Sequence, residues 1–306
     1  MSLSIQSLTK QFGEQKAVDN LSFDVEGGTI MGFLGPNGAG KSTTMKMVSC
    51  YLSPTSGTAK VCGYDIKENP LEVRNHIGYL PENNPLYYDM YVKEFLHFVA
   101  GIHGLDNKSA KVKNLIELTG LGKEQHKHIG ALSKGYKQRV GLAQAMIHNP
   151  DVLILDEPTS GLDMNQLVDI RALIKELGKE KTVILSTHIM QEVQALCDRV
   201  IIINNGRLVA DDPIENLQDR IKGENKITIN LTNNKVNFEK LKSIKGVNSV
   251  KSVAEGIVIN SDADVDVRPE IFKTAVNAGW VIVEMKTEDI SVEHIFQKLT
   301  KEDSYA

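Results

Sequence analysis

The chain has 306 residues, of which 41% are hydrophobic and 24% are charged, a composition typical of globular domains. Its length predicts about two domains. The net charge of −4 argues against proteins that hold DNA or RNA by bulk electrostatics, so we expect no nucleic-acid partner.

The cysteines and the apolar segments indicate the compartment. Cys50, Cys62 and Cys197 form no C-x-x-C pair, which predicts neither a disulfide nor a zinc site but buried small side chains in a reducing cytosol. Met1–Lys10 alternates apolar and polar residues as a strand does, unlike a signal peptide. No run reaches the roughly 18–20 apolar residues that cross a bilayer, so we expect a soluble protein whose membrane role comes from a partner.

Short apolar runs in the first two-thirds of the chain predict buried strands of a mostly parallel sheet. Examples are Ile30–Leu34, Val152–Leu155 and Val183–Leu185. Turn signals at Gly27-Gly28 and Asn205-Gly206 predict hairpins, and with them an antiparallel β layer beside the parallel core. The alternation of strands with helices predicts an α/β fold.

Residues 83–150 have a helical texture. Val92–His103 and Ser109–Thr119 space their apolar residues by three and four, as amphipathic helices do. We interpret this region as a helical insertion within a first domain that comprises residues 1–218.

Residues 219–306 form a second predicted domain. Strand and helix patterns follow the order β-α-β-β-α-β, which is typical of a ferredoxin-like unit. A last helix is predicted over Val292–Thr300. The fold class is therefore an α/β cassette with a small α+β accessory domain.

A phosphate-binding loop follows the strand Ile30–Leu34. Residues 35–42 read G-P-N-G-A-G-K-S and match G-x-x-x-x-G-K-[ST] before a predicted helix. Glycines let backbone N–H groups surround phosphate, and the helix N-terminus favours anions. Lys41 is expected to reach the β- and γ-phosphates and Ser42 to bind Mg²⁺. The predicted nucleotide-binding residues are Gly35, Pro36, Asn37, Gly38, Ala39, Gly40, Lys41, Ser42 and Thr43.

Two carboxylates end the strand Val152–Leu155. Asp156 is placed to hold Mg²⁺ through water, as an acid at this strand end does in phosphate-loop proteins. Glu157 projects differently and is a candidate to position or deprotonate the attacking water. The sequence thus predicts a nucleotide-hydrolysing site.

The segment Leu132–Arg139, L-S-K-G-Y-K-Q-R, resembles the L-S-G-G-Q-x-Q-R signature of ABC ATPases. Ser133 suits the N-cap of the following helix. The resemblance covers residues 1–215 and implies a P-loop ABC cassette that binds ATP and Mg²⁺. It also implies a head-to-tail homodimer, in which Ser133 and Gly135 contact the γ-phosphate held by the other subunit.

Other positions match the family in order along the chain. Asp163, in S-G-L-D after Pro158-Thr159, resembles the loop that crosses the dimer interface. His188 matches the family's γ-phosphate-contacting histidine, and Phe12 lies where an aromatic ring stacks on adenine. The resemblance therefore implies Glu157, His188 and Lys41 as the catalytic residues.

Three positions depart from the family pattern. Lys134 and Tyr136 replace the usual glycine and glutamine of the signature. Glu82 stands where a glutamine usually lies near Mg²⁺ and senses the membrane partner, so we predict Glu82 as a metal and coupling residue. Lys134 either adds charge near the phosphate or points to solvent.

The family resemblance implies an ATPase subunit in the cytoplasm, peripheral to the inner face of the cell membrane through a transmembrane permease subunit. Gly78–Asp89 and the signature variant are similar to exporters of polysaccharides, drugs and lantibiotics, and to the gliding-motility-associated ABC ATPase. Two alternatives remain open. One is an ABC ATPase that remodels RNA, ribosomes or DNA, and the other is a regulatory module in which residues 226–306 sense a ligand.

Overall fold

The computed structural model describes residues 1–216, 225–232, 238–253, 256–262 and 265–288. The chain divides into two compact units, the first ending at residue 214. Each unit has its own hydrophobic core.

The first unit is built from strands and helices in alternation. Its strands are β1 (Leu3–Phe12), β2 (Gln15–Val25), β3 (Ile30–Leu34), β4 (Ser56–Val61), β5 (Tyr64–Asp65), β6 (Ile77–Leu80), β7 (Val152–Asp156), β8 (Thr182–Thr187), β9 (Arg199–Asn204) and β10 (Arg207–Pro213). Its α-helices are α1 (Lys41–Val48), α2 (Pro70–His76), α3 (Val92–Ile102), α4 (Lys108–Leu118), α5 (Lys134–Met146), α6 (Met164–Gly178) and α7 (Met190–Leu196).

The central sheet has the strand order β10-β9-β3-β8-β7-β6. Its strands pair in parallel, except for β10, which pairs antiparallel with β9. Every residue of β3 and β7 is buried, which explains why these strands read as continuous apolar runs. The predicted α/β core is confirmed. The carboxyl ends of its parallel strands meet at one edge, where such sheets bind ligands.

An antiparallel sheet of order β2-β1-β4-β5 forms the predicted second layer. The hairpin at Asn205-Gly206 is confirmed, and both residues have the positive φ of +48° and +76° that a tight hairpin needs. The hairpin predicted at Gly27-Gly28 is wrong, because β2 and β3 belong to different sheets. Gly28 still has a φ of +72°, and its turn carries the chain from one layer to the other.

Apolar side chains of both sheets form the core of the first unit. Phe23 of the antiparallel layer lies with its ring centroid 5.6 Å from that of Phe33 in β3. Burial of each such side chain stabilises the fold by about 1.5–3 kcal/mol. Of the cysteines, Cys197 is buried as predicted, but Cys50 and Cys62 are only half-buried, since both lie at turns outside the sheets.

The helices α3, α4 and α5 lie between β6 and β7 in sequence, although these two strands are neighbours in the sheet. The buried residues of α3 include Phe95, Leu96 and Val99, spaced as the apolar pattern predicted. Ser133 is the N-cap of α5, and its Oγ accepts a hydrogen bond from the N–H of Tyr136 at 3.4 Å.

The second unit comprises β11 (Asn225–Leu231), α8 (Phe238–Lys242), β12 (Val247–Val253), β13 (Gly256–Ser261), α9 (Arg268–Asn277) and β14 (Ile282–Glu288). Its antiparallel sheet has the order β12-β13-β11-β14, and the elements follow one another as β-α-β-β-α-β. The predicted boundary at residue 218 and the predicted helix Val292–Thr300 lie outside the described residues. In the described part of the chain, no helix has the length and apolarity to span a bilayer.

Candidate nucleotide-binding site

The phosphate loop connects β3 to α1 at the carboxyl edge of the central sheet. Gly38 and Gly40 have φ values of +80° and +103°, a region that glycine enters without steric cost. A Cβ on Gly35 would lie 2.6 Å from the carbonyl oxygen of Ile203, and one on Gly40 would collide with that of Ala17. The glycines are therefore required by backbone contacts inside the protein as well as by the approach of a phosphate.

Lys41 is the first residue of α1 and is buried in the loop. Its Nζ donates hydrogen bonds to the carbonyl oxygens of Gly35 at 2.7 Å and Pro36 at 3.2 Å. The same atom lies 3.7 Å from Oε1 of Glu157. Burial lowers the pKa of Lys41, and the negative charge of Glu157 opposes that shift. The ammonium is thus held next to the space that phosphate oxygens would occupy.

Asp156 and Glu157 are both buried at the end of β7, with 2% and 7% of their surface exposed. Oδ1 of Asp156 has no hydrogen-bond partner in the described residues, and a buried carboxylate oxygen without a partner is unfavourable. The Ser42 hydroxyl and Glu82 lie along the neighbouring cavity. These oxygen donors fit Mg²⁺, which prefers oxygen ligands such as carboxylates.

Glu157 has a left-handed backbone with a φ of +50°, which the sequence did not predict. Its carboxylate oxygens lie 2.9 and 3.0 Å from Nδ1 of His188. Burial raises the pKa of Glu157, and the hydrogen bond from His188 offsets part of this shift. A carboxylate with a raised pKa, held by an imidazole, is a suitable general base or water-positioning group.

A cavity of ≈ 560 Å³ opens between these residues, a size that accommodates a nucleotide. Nine of the predicted site residues line it: Asn37, Gly38, Gly40, Lys41, Ser42, Thr43, Glu82, Glu157 and His188. Two lining residues, Ala17 and Ser160, were not among the predicted site residues. Ser160 starts the predicted interface loop, whereas Ala17 lies in β2 and carries no chemical signal that the sequence could reveal.

Other predicted site residues lie outside this cavity. Phe12 is 51% exposed at the end of β1, and Nζ of Lys10 lies 5.2 Å from its ring centroid. Asp163 is the N-cap of α6 and accepts a hydrogen bond from the N–H of Gln166 at 2.9 Å. Ser133 is exposed, whereas Gly135 is buried under the side chain of Gln166. One chain therefore does not bring its signature segment to its own phosphate loop.

The side chain of Lys134 lies against the Ser160–Asp163 loop. Its Nζ would collide with a Cβ built on Gly161. Lys134 is also exposed to solvent, which is one of the two positions expected from the sequence. At the other departure from the signature, the guanidinium carbon of Arg139 lies 5.8 Å from the centroid of the Tyr136 ring. Both unusual residues thus pack against their own chain.

Comparison with known proteins agrees with this geometry. The family described as "ABC transporter" matches residues 18–160. The bacitracin transport ATP-binding protein BcrA of Bacillus licheniformis is 41% identical over 215 residues, which cover 70% of this chain and 70% of BcrA. The chain belongs to the ATP-binding subunits of ABC transporters. The resemblance noted in the sequence is therefore confirmed at the level of the family.

Further relatives extend the match across most of this ABC ATPase. The ABC transporter ATP-binding protein NatA of Bacillus subtilis is 38% identical over 213 residues, covering 68% of this chain and 87% of NatA. A solved structure of an "ATP binding subunit of ABC transporter" is 28% identical with a TM-score of 0.66, covering 72% of this chain and 93% of that one. Another, of cbiO1 from Clostridium perfringens, is 27% identical with a TM-score of 0.64, covering 72% and 94%. The chain is thus an ATPase with the ABC cassette fold.

Proposed function

We propose that this ABC ATPase works as a head-to-tail homodimer that encloses two Mg-ATP molecules and drives a separate transmembrane permease, in the direction of export. The observation that carries the proposal is that, within one chain, the signature residue Ser133 lies apart from the catalytic residues. The cavity collects Lys41, Glu157 and His188, whereas Ser133 is exposed at the start of α5, outside the cavity lining. A second copy supplies the missing N-terminus of α5.

The loop and Lys41 bind the phosphates, since backbone N–H groups and an ammonium converge on one space. When bound, Mg²⁺ neutralises charge on the phosphate oxygens, and Ser42, Asp156 and Glu82 would hold it. Glu157 orients and deprotonates the attacking water. Its raised pKa makes it a stronger base than an exposed glutamate.

His188 contributes through its two nitrogens. Nδ1 lies within hydrogen-bond distance of Glu157, which leaves Nε2 to contact the γ-phosphate. The side chain is 44% exposed, so it can reorient when ATP enters. We infer that His188 couples the position of the base to the presence of the phosphate.

Export and the membrane partner are proposed from the relatives and from sequence. BcrA bears the name of a bacitracin transport protein, and a Nod factor export ATP-binding protein of Burkholderia lata is 38% identical over 216 residues. We place the chain in the cytoplasm, peripheral to the inner face of the membrane, with no nucleic-acid partner. The similarity to the gliding-motility-associated ATPase is a finer proposal that rests on Gly78–Asp89 and the signature variant.

The test is the solution mass of the Glu157→Gln variant with Mg-ATP and with Mg-ADP. We expect a dimer with Mg-ATP only, because blocked hydrolysis preserves the enclosed nucleotide. The double variant Glu157→Gln with Lys41→Ala is the control and should stay monomeric in both. A monomer of Glu157→Gln under both conditions would contradict the proposed homodimer.

Glu82 is proposed as the residue that links the cavity to the permease. It lines the cavity at the position where the family uses glutamine. The Glu82→Ala variant should bind Mg²⁺ more weakly and lose stimulation by the permease. If both properties were unchanged, the proposed role of Glu82 would be wrong.

A further inference from the structure

A cluster of three potential metal ligands lies at the edge of the central sheet opposite the nucleotide cavity. Sγ of Cys62, a ring nitrogen of His76 and a carboxylate oxygen of Asp151 all lie within 4.8 Å of one another. The three residues are far apart in sequence, and the absence of a C-x-x-C pair led us to predict no zinc site. The fold brings together three residues whose spacing in the sequence matches no zinc-binding motif.

The backbone fixes the position of each member of the cluster. Cys62 occupies the turn between β4 and β5 with a φ of +49°, and its N–H donates to the carbonyl oxygen of Ser2 at 2.9 Å. His76 ends α2, and Asp151 directly precedes β7. Since Ile77 in β6 pairs with Val152 in β7, the two preceding residues are neighbours at the amino ends of parallel strands.

The side chains are ordered by further contacts. The ring of His76 stacks on that of Tyr64, with centroids 5.3 Å apart and an interplanar angle of 19°. Its Nδ1 lies 2.5 Å from Oδ2 of Asp151. This contact directs Nδ1 toward the carboxylate, and Nε2 takes no part in it.

We propose that Cys62, His76 and Asp151 form a binding site for Zn²⁺. One sulfur, one imidazole nitrogen and one carboxylate oxygen are the ligand types of protein zinc sites, and three protein ligands leave a fourth position for water. The thiol disfavours Mg²⁺ and Ca²⁺, which take oxygen ligands. Nothing in this proposal depends on the dimer or on the permease.

Small side-chain movements complete the geometry. Ligands of tetrahedral zinc lie about 3.5 Å from one another, given bond lengths of about 2.0–2.3 Å. The His76–Asp151 contact must therefore lengthen. The side chain of Asp151 is 62% exposed and that of His76 30% exposed, so both can rotate without disturbing the core.

The same contacts have a purely structural explanation. His76 and Asp151 alone would form an ion pair or hydrogen bond between α2 and β7, and Cys62 would be a half-buried thiol beside them. In that case the cluster would have no greater affinity for zinc than any exposed histidine. A measurement on the metal itself separates the two explanations.

The experiment is a titration of nucleotide-free, full-length protein with Zn²⁺ in competition with a chromogenic chelator, after removal of bound metals. We expect one equivalent bound per chain by the wild type and by the control Cys50→Ser, which removes another half-buried thiol. Cys62→Ser and Asp151→Asn should weaken binding more than about a hundredfold, beyond the roughly 10–100-fold that the loss of an outer-shell partner costs. Equal binding by Cys62→Ser and the wild type, or no stoichiometric binding by the wild type, would overturn the proposal.

Two further readouts show whether a variant has kept its fold and whether sulfur is a ligand. Circular dichroism without metal should be the same for Cys62→Ser and Cys50→Ser. Co²⁺ should give thiolate charge-transfer absorption with wild type and Cys50→Ser, and none with Cys62→Ser. Zn²⁺ at roughly a hundred times its Kd should raise the Tm of the first unit in the wild type by about 5 °C, and an unchanged Tm of that unit would contradict a site in the folded state.

Discussion

At the scale of single residues, the environment of Glu157 combines burial with two basic neighbours. Nζ of Lys41 lies 3.7 Å from its carboxylate and Nδ1 of His188 lies 2.9 Å away. Burial raises the pKa of Glu157, while Lys41 and His188 limit the rise. The carboxylate of Glu157 therefore has a greater affinity for a proton than an exposed carboxylate has.

Glu157→Gln should lower kcat for ATP hydrolysis by about 10²–10⁴-fold, the range expected when a general base is removed. The Kd for ATP should change little, because glutamine has nearly the same shape and the phosphate loop is untouched. Single-turnover hydrolysis and fluorescent-nucleotide binding measure the two quantities. A parallel loss of ATP affinity would indicate that Glu157 mainly holds Lys41 in place.

The pH dependence of the wild type follows from the same carboxylate. A base must be deprotonated to act, so activity is present above the pKa of Glu157 and is lost as the pH falls through it. Because burial raises that pKa, the loss should begin at a higher pH than the usual value of about 4.3 for glutamate predicts. A kcat profile that stays flat down to pH 4.5, in protein shown to be folded there, would exclude Glu157 as the base.

At the scale of elements, the N-cap residue of helix α6 has two assigned roles. Asp163 caps the helix by accepting the N–H of Gln166 at 2.9 Å, and the family resemblance places it at the dimer interface. Asp163→Ala should lower the free energy of unfolding by about 1 kcal/mol, while Asp163→Asn should preserve it. Urea denaturation measures this difference. If the ATPase activity of Asp163→Asn falls although its stability is retained, the charge itself serves the site.

The elements of the nucleotide-binding site could be predicted because the strand and its functional residues are consecutive in the sequence. Gly35–Ser42 and Val152–Glu157 combine a buried strand with the polar group that follows it, so sequence order alone locates both. The Gly27-Gly28 turn could not be assigned correctly, since a turn signal does not tell which sheet the next strand joins. The cluster of Cys62, His76 and Asp151 was missed because its members are far apart in sequence. The pairing of β6 with β7 brings His76 beside Asp151, and Cys62 reaches them from the turn between β4 and β5.

The left-handed φ of Glu157 was also beyond the sequence. Local propensity favours asparagine or glycine in that conformation, so a glutamate at this position does not predict it. The surrounding strands impose it, through the hydrogen bond from the N–H of Glu157 to the carbonyl oxygen of Ser186 in β8 at 2.9 Å. The residue type was predictable, but its backbone geometry depends on long-range contacts.

At the scale of the whole molecule, the two units have separate cores. One is built from apolar side chains such as Phe33 and Ile154, and the other from residues such as Ile227 and Ile259. Separate cores can unfold in separate transitions. The nucleotide cavity lies entirely within residues of the first unit.

Calorimetry should therefore resolve two unfolding transitions in the full-length chain. Saturating Mg-ATP with the Glu157→Gln variant should raise the Tm of one transition by several degrees, because ligand binds only the folded first unit. The other transition should not move. A single transition that shifts as a whole would show that the two units unfold cooperatively.

The conformation of Glu157 has a consequence for how the protein can evolve. A buried acid with positive φ costs about 1 kcal/mol or more in backbone energy, and glycine at this position would relieve that cost. A library screened only for survival after heating should thus enrich variants that have lost Glu157 and with it the ability to hydrolyse ATP. At residue 157, greater thermal stability therefore comes at the expense of ATP hydrolysis, and only selection for transport retains the glutamate.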